Sequence, residues 1–246
     1  MASALAEEGT AVILSGRRRE DLEALAAELP GEGHRVAPSD LGEPGAAEAL
    51  AAEAGKADLL IANAGLPGTG RMGEQSAEEI QRALRVNLEA PILLARALLP
   101  GMQERGEGHL VFVASLSGKV ASPRASIYNA TKFGLRGYAL ALRTDVAADG
   151  IGVSILSPGF IRGAGMFASS GAKPPPGMGT STPERVAAGA LRAIKRNRAE
   201  VAVAPMRQRA ISHFALAAPS VAGRAQTGSA GQKAAQAVHE GHTKPK

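Results

Sequence analysis

Residues His109 to Lys132 read His-Leu-Val-Phe-Val-Ala-Ser-Leu-Ser-Gly-Lys-Val-Ala-Ser-Pro-Arg-Ala-Ser-Ile-Tyr-Asn-Ala-Thr-Lys. The opening run, His109 to Ser115, is short, apolar and free of polar alternation, which marks a strand covered on both faces, as in a parallel sheet. It ends on the hydroxyl of Ser115. In open α/β sheets, ligands bind beyond the carboxyl ends of the strands, so that hydroxyl stands where chemistry is done. A helical stretch from Ser126 to Ala148 follows, and in it Tyr128 and Lys132 are four residues apart. That spacing puts both side chains on one helix face, close enough for the ammonium to favour a developing phenolate. A tyrosine so placed is a candidate acid or base near neutral pH.

The same alternation continues in both directions along the chain. Strand candidates are Ala11 to Leu14, Arg35 to Pro38, Asp58 to Asn63, His109 to Ser115, Gly152 to Ser157 and Val201 to Ala204. Between them lie helical stretches at Glu20 to Leu29, Pro44 to Ala54, Ala77 to Leu99, Ser126 to Ala148 and Pro183 to Arg196. Strands alternating with helices predict an α/β fold with a doubly wound parallel sheet. Two helix starts have a local cause: Thr182 caps with Pro183 in the first position, and Ser76 with Glu79 resembles a capping box.

Length and composition limit what the chain can be. With 246 residues, 45% of them hydrophobic, it can bury one sizeable core. The absence of Cys removes disulfides and thiolate chemistry. Neither a secretory signal nor a membrane-length apolar run is present, which predicts a cytoplasmic protein without a membrane span. The charge of +5 is scattered and aromatic residues are only 3%, so nucleic acid is not expected as a partner. The histidines lack ligand spacing, and no metal is expected.

Residues 1–205 form the expected α/β domain, with 206–225 a helical segment. Within the latter, Ile211 to Val221 should pack on its own domain or on a second subunit, the basis for expecting a homo-oligomer. Phe160 to Ser181, with five Gly, three consecutive Pro and two Met, reads as a lid loop. Residues 226–246 turn to Gly, Gln, Ser, Lys and His and read as a disordered tail.

Further marks stand in order: Asn63-Ala64-Gly65 at a strand end, Val86-Asn87-Leu88 in a long helix, and Ser157-Pro158-Gly159 at another strand end. With Ser115, Tyr128 and Lys132 they make the chain resemble the short-chain dehydrogenase/reductase family from Ala2 to about Pro205. The resemblance implies a Rossmann-like fold and hydride transfer between a nicotinamide cofactor and a small carbonyl or secondary alcohol. It implies that Ser115 holds the substrate carbonyl and Tyr128 transfers the proton. Lys132 would bind the nicotinamide ribose and lower the Tyr128 pKa. Asn63, Ala64 and Gly65 would shape the cofactor site, Pro158 and Gly159 would pass the nicotinamide, and Asp40 would contact the adenine. The family also uses a main-chain carbonyl at the place of Asn87 to hold a proton-relay water. An independent argument agrees: Pro91 has no N–H, so the Asn87 carbonyl loses its helical partner.

Cofactor choice rests on Ser15-Gly16-Arg17-Arg18-Arg19. NAD-binding domains commonly place an acid here, whereas arginine accommodates the 2′-phosphate, so Arg17 and Arg18 favour NADP(H) over NAD(H). Three cations at a helix start also suit a visiting anion. Asp40 has a second reading, as the cap of the next turn. The chain departs from the family in two places. Nothing matches the opening strand and Gly-rich turn whose amides hold the pyrophosphate, and Gly163 stands where a Thr is frequent. The sequence therefore supports an NADP-dependent oxidoreductase, with a truncated or inactive interaction partner as the alternative.

Overall fold

A computed structural model describes residues 1–226 and 229–243. Six parallel strands form two sheets among these residues. The smaller pairs β1 (Ile13–Leu14) with β2 (Arg35–Val36), and the larger runs β3 (Leu59–Ala62), β4 (Gly108–Val113), β5 (Ile151–Pro158), β6 (Glu200–Val203) in that order. The expected strands are all present, shortened or shifted by one or two residues at their ends.

The inner strands β4 and β5 are covered on both faces, which is why they read as unbroken apolar runs. On one face Phe112, Leu110, Val153 and Ile155 meet Leu135 and Ala139 of α6 (Ser126–Asp145). On the other, Val111 and Leu156 meet Val186 and Ala190 of α8 (Pro183–Lys195). Helices α1 (Ala2–Ala6) and α2 (Arg19–Glu28) pack on β1 through Ala6, Leu14, Leu22 and Leu25, whereas α3 (Ala46–Ala54) sets Ala47 and Ala51 against Ala90 and Leu94.

One expected helix is interrupted. The stretch from Ala77 forms α4 (Ala77–Leu84), a π turn at Arg85–Glu89, and α5 (Ala90–Arg105). Ala90 N–H donates to the Arg85 carbonyl, five residues back. The disturbance ahead of Pro91 is thus a widened turn, more than the single missing bond expected. α5 runs on to Gly106, whose φ of 67° is the left-handed conformation that ends helices.

The expectation of one continuous sheet with a strand missing takes a definite form. β1 pairs only with β2 and β3 only with β4, and a cavity of about 760 Å³ lies between the facing edges. Val12, Ile13 and Leu14 line one side, with Leu59, Leu60 and Ile61 opposite.

The C-terminal region departs from expectation. α9 (Met206–Ala217) and α10 (Pro219–Gln226) cover the expected helical segment, but Ser229–Thr243 forms helix α11 where composition favoured a disordered tail. Its Ala-rich sequence is a good helix former, and it finds docking partners: His239 reaches the Thr69 carbonyl and His242 the Met166 carbonyl. Positions 227–228 and 244–246 lie outside the described residues. No helix among the described residues is long and apolar enough to cross a membrane.

His109 is buried in β4, with Nε2 2.8 Å from the Ser154 hydroxyl, which itself donates to the Arg198 carbonyl at 2.7 Å. Nε2 must therefore donate. Burial, helped by nearby Arg143, lowers the His109 pKa to about 4. The unfolded chain takes up this proton near pH 6.5, so stability present above that pH is lost as pH falls towards 4. The loss should be on the order of 2 to 3 kcal/mol. Thermal melting across that range should show the fall, and His109→Gln should flatten it; an equal slope in the variant would assign the loss to other groups.

Candidate active site

Ser115 follows β4 and opens a 3₁₀ turn, Leu116–Gly118; its hydroxyl oxygen accepts the Ser117 N–H at 3.1 Å. The turn lies directly on α6, since a Cβ at Gly118 would sit 2.7 Å from the Lys132 carbonyl oxygen. No larger residue fits there, and the close approach holds Ser115 over the helix that carries Tyr128 and Lys132. Burial pushes the Tyr128 phenol above its ordinary pKa, and the neighbouring Ser115 hydroxyl opposes that rise without overcoming it.

Lys132 is buried, donates from Nζ to the Val113 carbonyl at 2.9 Å, and lies 5.8 Å from the centre of the Tyr128 ring. Burial brings its pKa down to about 8. In this state desolvation is the largest influence on the Tyr128 phenol, whose ring Lys132 Nζ overlies.

Asn87 is fully buried, and here its side chain does the positioning. Oδ1 accepts the Leu66 N–H at 2.7 Å while Nδ2 donates to the Leu66 carbonyl at 2.9 Å and lies 3.4 Å from Thr131 Oγ1. This two-sided grip fixes the turn after Asn63-Ala64-Gly65 against α6. A Cβ at Gly65 would lie 3.5 Å from Asn87 Oδ1 and 3.8 Å from Lys132 Nζ, so these three converge. Asn129 was not singled out in the sequence, yet it joins helix and loop: Nδ2 donates to the Ser117 and Val120 carbonyls at 2.6 and 2.7 Å, and Oδ1 accepts the Ser122 N–H. Its only signal was its place beside Tyr128.

Arg17 and Asp40 stand at the far end of the 760 Å³ cavity, which reaches from Gly16 and Arg17 to Asn63, Ala64, Gly65 and Leu66. Arg17 is exposed and has no ion pair among the described residues. Arg18 and Arg19 pair with Asp21 and Glu23 of their own helix, at 2.5 and 3.4 Å. The crowding of three cations is thereby relieved locally, and Arg18 is not among the residues lining the cavity. Asp40 caps its own turn, accepting the Gly42 N–H at 2.9 Å, and pairs with Arg82 at 2.6 Å. Both interactions lower its pKa, the first most.

Pro158 and Gly159 lie at the end of β5, beside the Ser115 segment, and Gly159 N–H donates to the Val203 carbonyl at 3.1 Å. The lid that follows contains a short helix, α7 (Gly165–Ser169), and is closed at its base by an Ile161–Ser181 bridge. Buried Gln208 of α9 fastens both ends: Oε1 accepts the Phe160 N–H at 3.3 Å, and Nε2 donates to the Met178 and Gly179 carbonyls at 3.0 Å. Among the described residues no group of three or more His, Asp or Glu could hold a metal ion.

The residues present fit the two ends of a dinucleotide. Lys132, Tyr128 and Gly65 suit the nicotinamide ribose, and Arg17 suits the adenosine side. The described residues contain no Gly-rich turn for the pyrophosphate between them.

Fold and site together define a Rossmann-like oxidoreductase. The family model for short chain dehydrogenases matches residues 1–175, and the chain belongs to that family of enzymes. It is 34% identical over 209 residues to the ketoacyl reductase HetN of Nostoc sp., covering 82% of this chain and 73% of that one. It is 35% identical over 163 residues to the mouse dehydrogenase/reductase SDR family member 7B, covering 62% of this chain and 50% of the relative. Among solved structures, a short chain dehydrogenase/reductase family protein superposes with a TM-score of 0.76 at 28% identity, covering 82% and 88% of the two chains. A short-chain dehydrogenase from Sphingobium yanoikuyae in complex with NADPH gives 0.74 at 25%, covering 92% and 88%.

Proposed function

We propose that this chain is an NADP(H)-dependent carbonyl reductase in which Tyr128 gives a proton to the carbonyl oxygen of a small ketone. The observation that carries the reading is the convergence of Ser115, Tyr128 and Lys132, with buried Lys132 Nζ 5.8 Å from the centre of the Tyr128 ring. A phenol holds its proton at neutral pH, which allows donation to a carbonyl oxygen, and the neighbouring Lys132 ammonium favours the phenolate that donation leaves. The ketoacyl reductase among the relatives supports a ketone as substrate.

A bound nicotinamide would supply the hydride. Ser115 already accepts a hydrogen bond from Ser117, so its hydroxyl proton remains to donate to the substrate carbonyl. Tyr128 releases its proton to the same oxygen, and the Lys132 ammonium favours the phenolate left behind. Asn87 holds the Leu66 turn so that Gly65 stays against Lys132. Homo-oligomerisation and a cytoplasmic location belong to the same reading. Phe133 on α6 and Phe214 and Leu216 on α9, all exposed, offer apolar surface for a second subunit.

In a form of the chain that binds cofactor, a panel of ketones incubated with NADPH or NADH tests the reading through loss of reduced-nicotinamide absorbance; no turnover with any ketone would defeat it. Cofactor choice is tested at Arg17. Arg17→Ser should weaken NADPH roughly tenfold to a hundredfold and NADH little, since a charge-assisted contact is worth about 1.5 to 3 kcal/mol. Arg18→Ser, with its cation paired to Asp21, should change neither. Equal losses for both cofactors at Arg17 would return it to the solvated surface.

A further inference from the structure

Behind the site, one carboxylate joins the three segments that carry it. Glu200 opens β6, and its Oε1 lies 2.9 Å from Lys119 Nζ and accepts the Ser157 hydroxyl at 2.9 Å. Arg136 adds Nε at 3.3 Å to both oxygens and a terminal nitrogen at 3.2 Å to Oε2. The Lys119 side chain is 2% exposed and Ser157 is fully buried. Despite partial burial, these donors hold the Glu200 pKa below the usual carboxylate value.

Each donor comes from a different part of the site. Lys119 follows the 3₁₀ turn that begins at Ser115. Arg136 lies one helical turn beyond Lys132 on α6. Ser157 immediately precedes Pro158 and Gly159. A buried cluster of two cations and one anion is a poor way to gain stability, because desolvation offsets the attraction and apolar replacements often do as well. What such a cluster supplies is geometry, since charge-assisted bonds are short and directional.

We propose that Glu200 is a positioning residue, its carboxylate holding the Ser115 turn, the Tyr128–Lys132 helix and the Pro158–Gly159 strand end at fixed separations for proton and hydride transfer. It touches neither substrate nor cofactor and acts through Lys119, Arg136 and Ser157. The inference rests on the carbonyl reductase reading above. Displacements of about 1 Å at a reacting centre can cost roughly a hundredfold in rate, so loosening this junction reaches catalysis without touching a reacting group.

Glu200→Gln alone leaves the buried Lys119 cation without its carboxylate and can fail to fold, so the deciding variant removes the charge pair together: Lys119→Leu with Glu200→Leu. Arg136, partly exposed, then reaches solvent. In the full chain this double variant should melt within a few degrees of the parent. Amide exchange should quicken at least tenfold in residues 116–119 and 157–160 while remaining unchanged around His109. The ketone turnover rate should fall by about ten- to a hundredfold, with KM for the cofactor within about threefold and a larger primary isotope effect from deuterated NADPH. Parental kcat, isotope effect and exchange in the folded double variant would overturn the proposal. If Tyr128→Phe remains active in the same assay, the role given to Tyr128 fails instead, and exchange alone then decides whether Glu200 fixes the three segments.

Discussion

Tyr128→Phe is expected to reduce ketone turnover by roughly 100- to 10,000-fold in any form of the chain that binds cofactor. The substitution keeps the ring and removes only the hydroxyl that carries the proton. Packing against α6 should be preserved, so cofactor affinity and melting temperature should stay near parental values. The second tyrosine, Tyr138, meets Phe112 edge-on at 5.5 Å in the core, and serves as a control: Tyr138→Phe should leave turnover largely intact. The pH dependence follows from the same groups. Lys132 loses its proton as pH rises through about 8, so its help to the phenolate fades above that value. The reductase rate should therefore decline on the alkaline side, where a phenol of raised pKa alone would still hold its proton. Near-parental turnover by Tyr128→Phe on an identified ketone would remove Tyr128 from the mechanism.

The fold was legible because its decisive signals are local. β4 and β5 are covered on both faces and so read as continuous apolar runs, while Thr182 with Pro183 marked the start of α8 directly; the Thr182 side chain accepts the Arg185 N–H. Tyr128 and Lys132 were legible because helical spacing alone puts them on one face. The supporting groups were not. Asn87, Asn129, Gln208 and Glu200 act on backbone or charge that lies 21, 12, 30 and 64 residues away, distances no local pattern encodes. Asn87 was noticed for its carbonyl, yet the side chain makes the contacts, because only the folded chain brings Leu66 against it. The pairing of Arg18 with Asp21 is different: three-residue spacing was visible, and it shows why a basic run need not await an anion. The tail was misread because composition reports little to bury, whereas α11 is held by His239 and His242 on loops remote in sequence.

Residues 1–246 expressed alone are expected to bind NADPH poorly and to melt with low cooperativity. The reason is the divided sheet. β1 and β3 each present an unpaired edge to the 760 Å³ cavity, and the apolar Val12, Ile13, Leu59 and Ile61 line it without filling it. Unpaired strand edges beside exposed apolar side chains invite association between chains and forfeit core burial. The cofactor suffers for a related reason. Arg17 and Lys132 address the two ends of a dinucleotide, and among the described residues no Gly-rich turn directs amides at the pyrophosphate between them. Two or three charge-assisted bonds of about 1.5 to 3 kcal/mol each correspond to roughly a hundredfold in affinity or more. A comparison chain with a designed strand and Gly-rich turn of about 30 residues joined ahead of residue 1, its strand chosen to pair with both edges, should recover both properties. Calorimetry with NADPH and thermal melting of the two chains side by side measure the difference. A soluble residue 1–246 chain that melts cooperatively and binds NADPH at micromolar concentration would show that the cavity is no defect and that a phosphate site lies elsewhere along it.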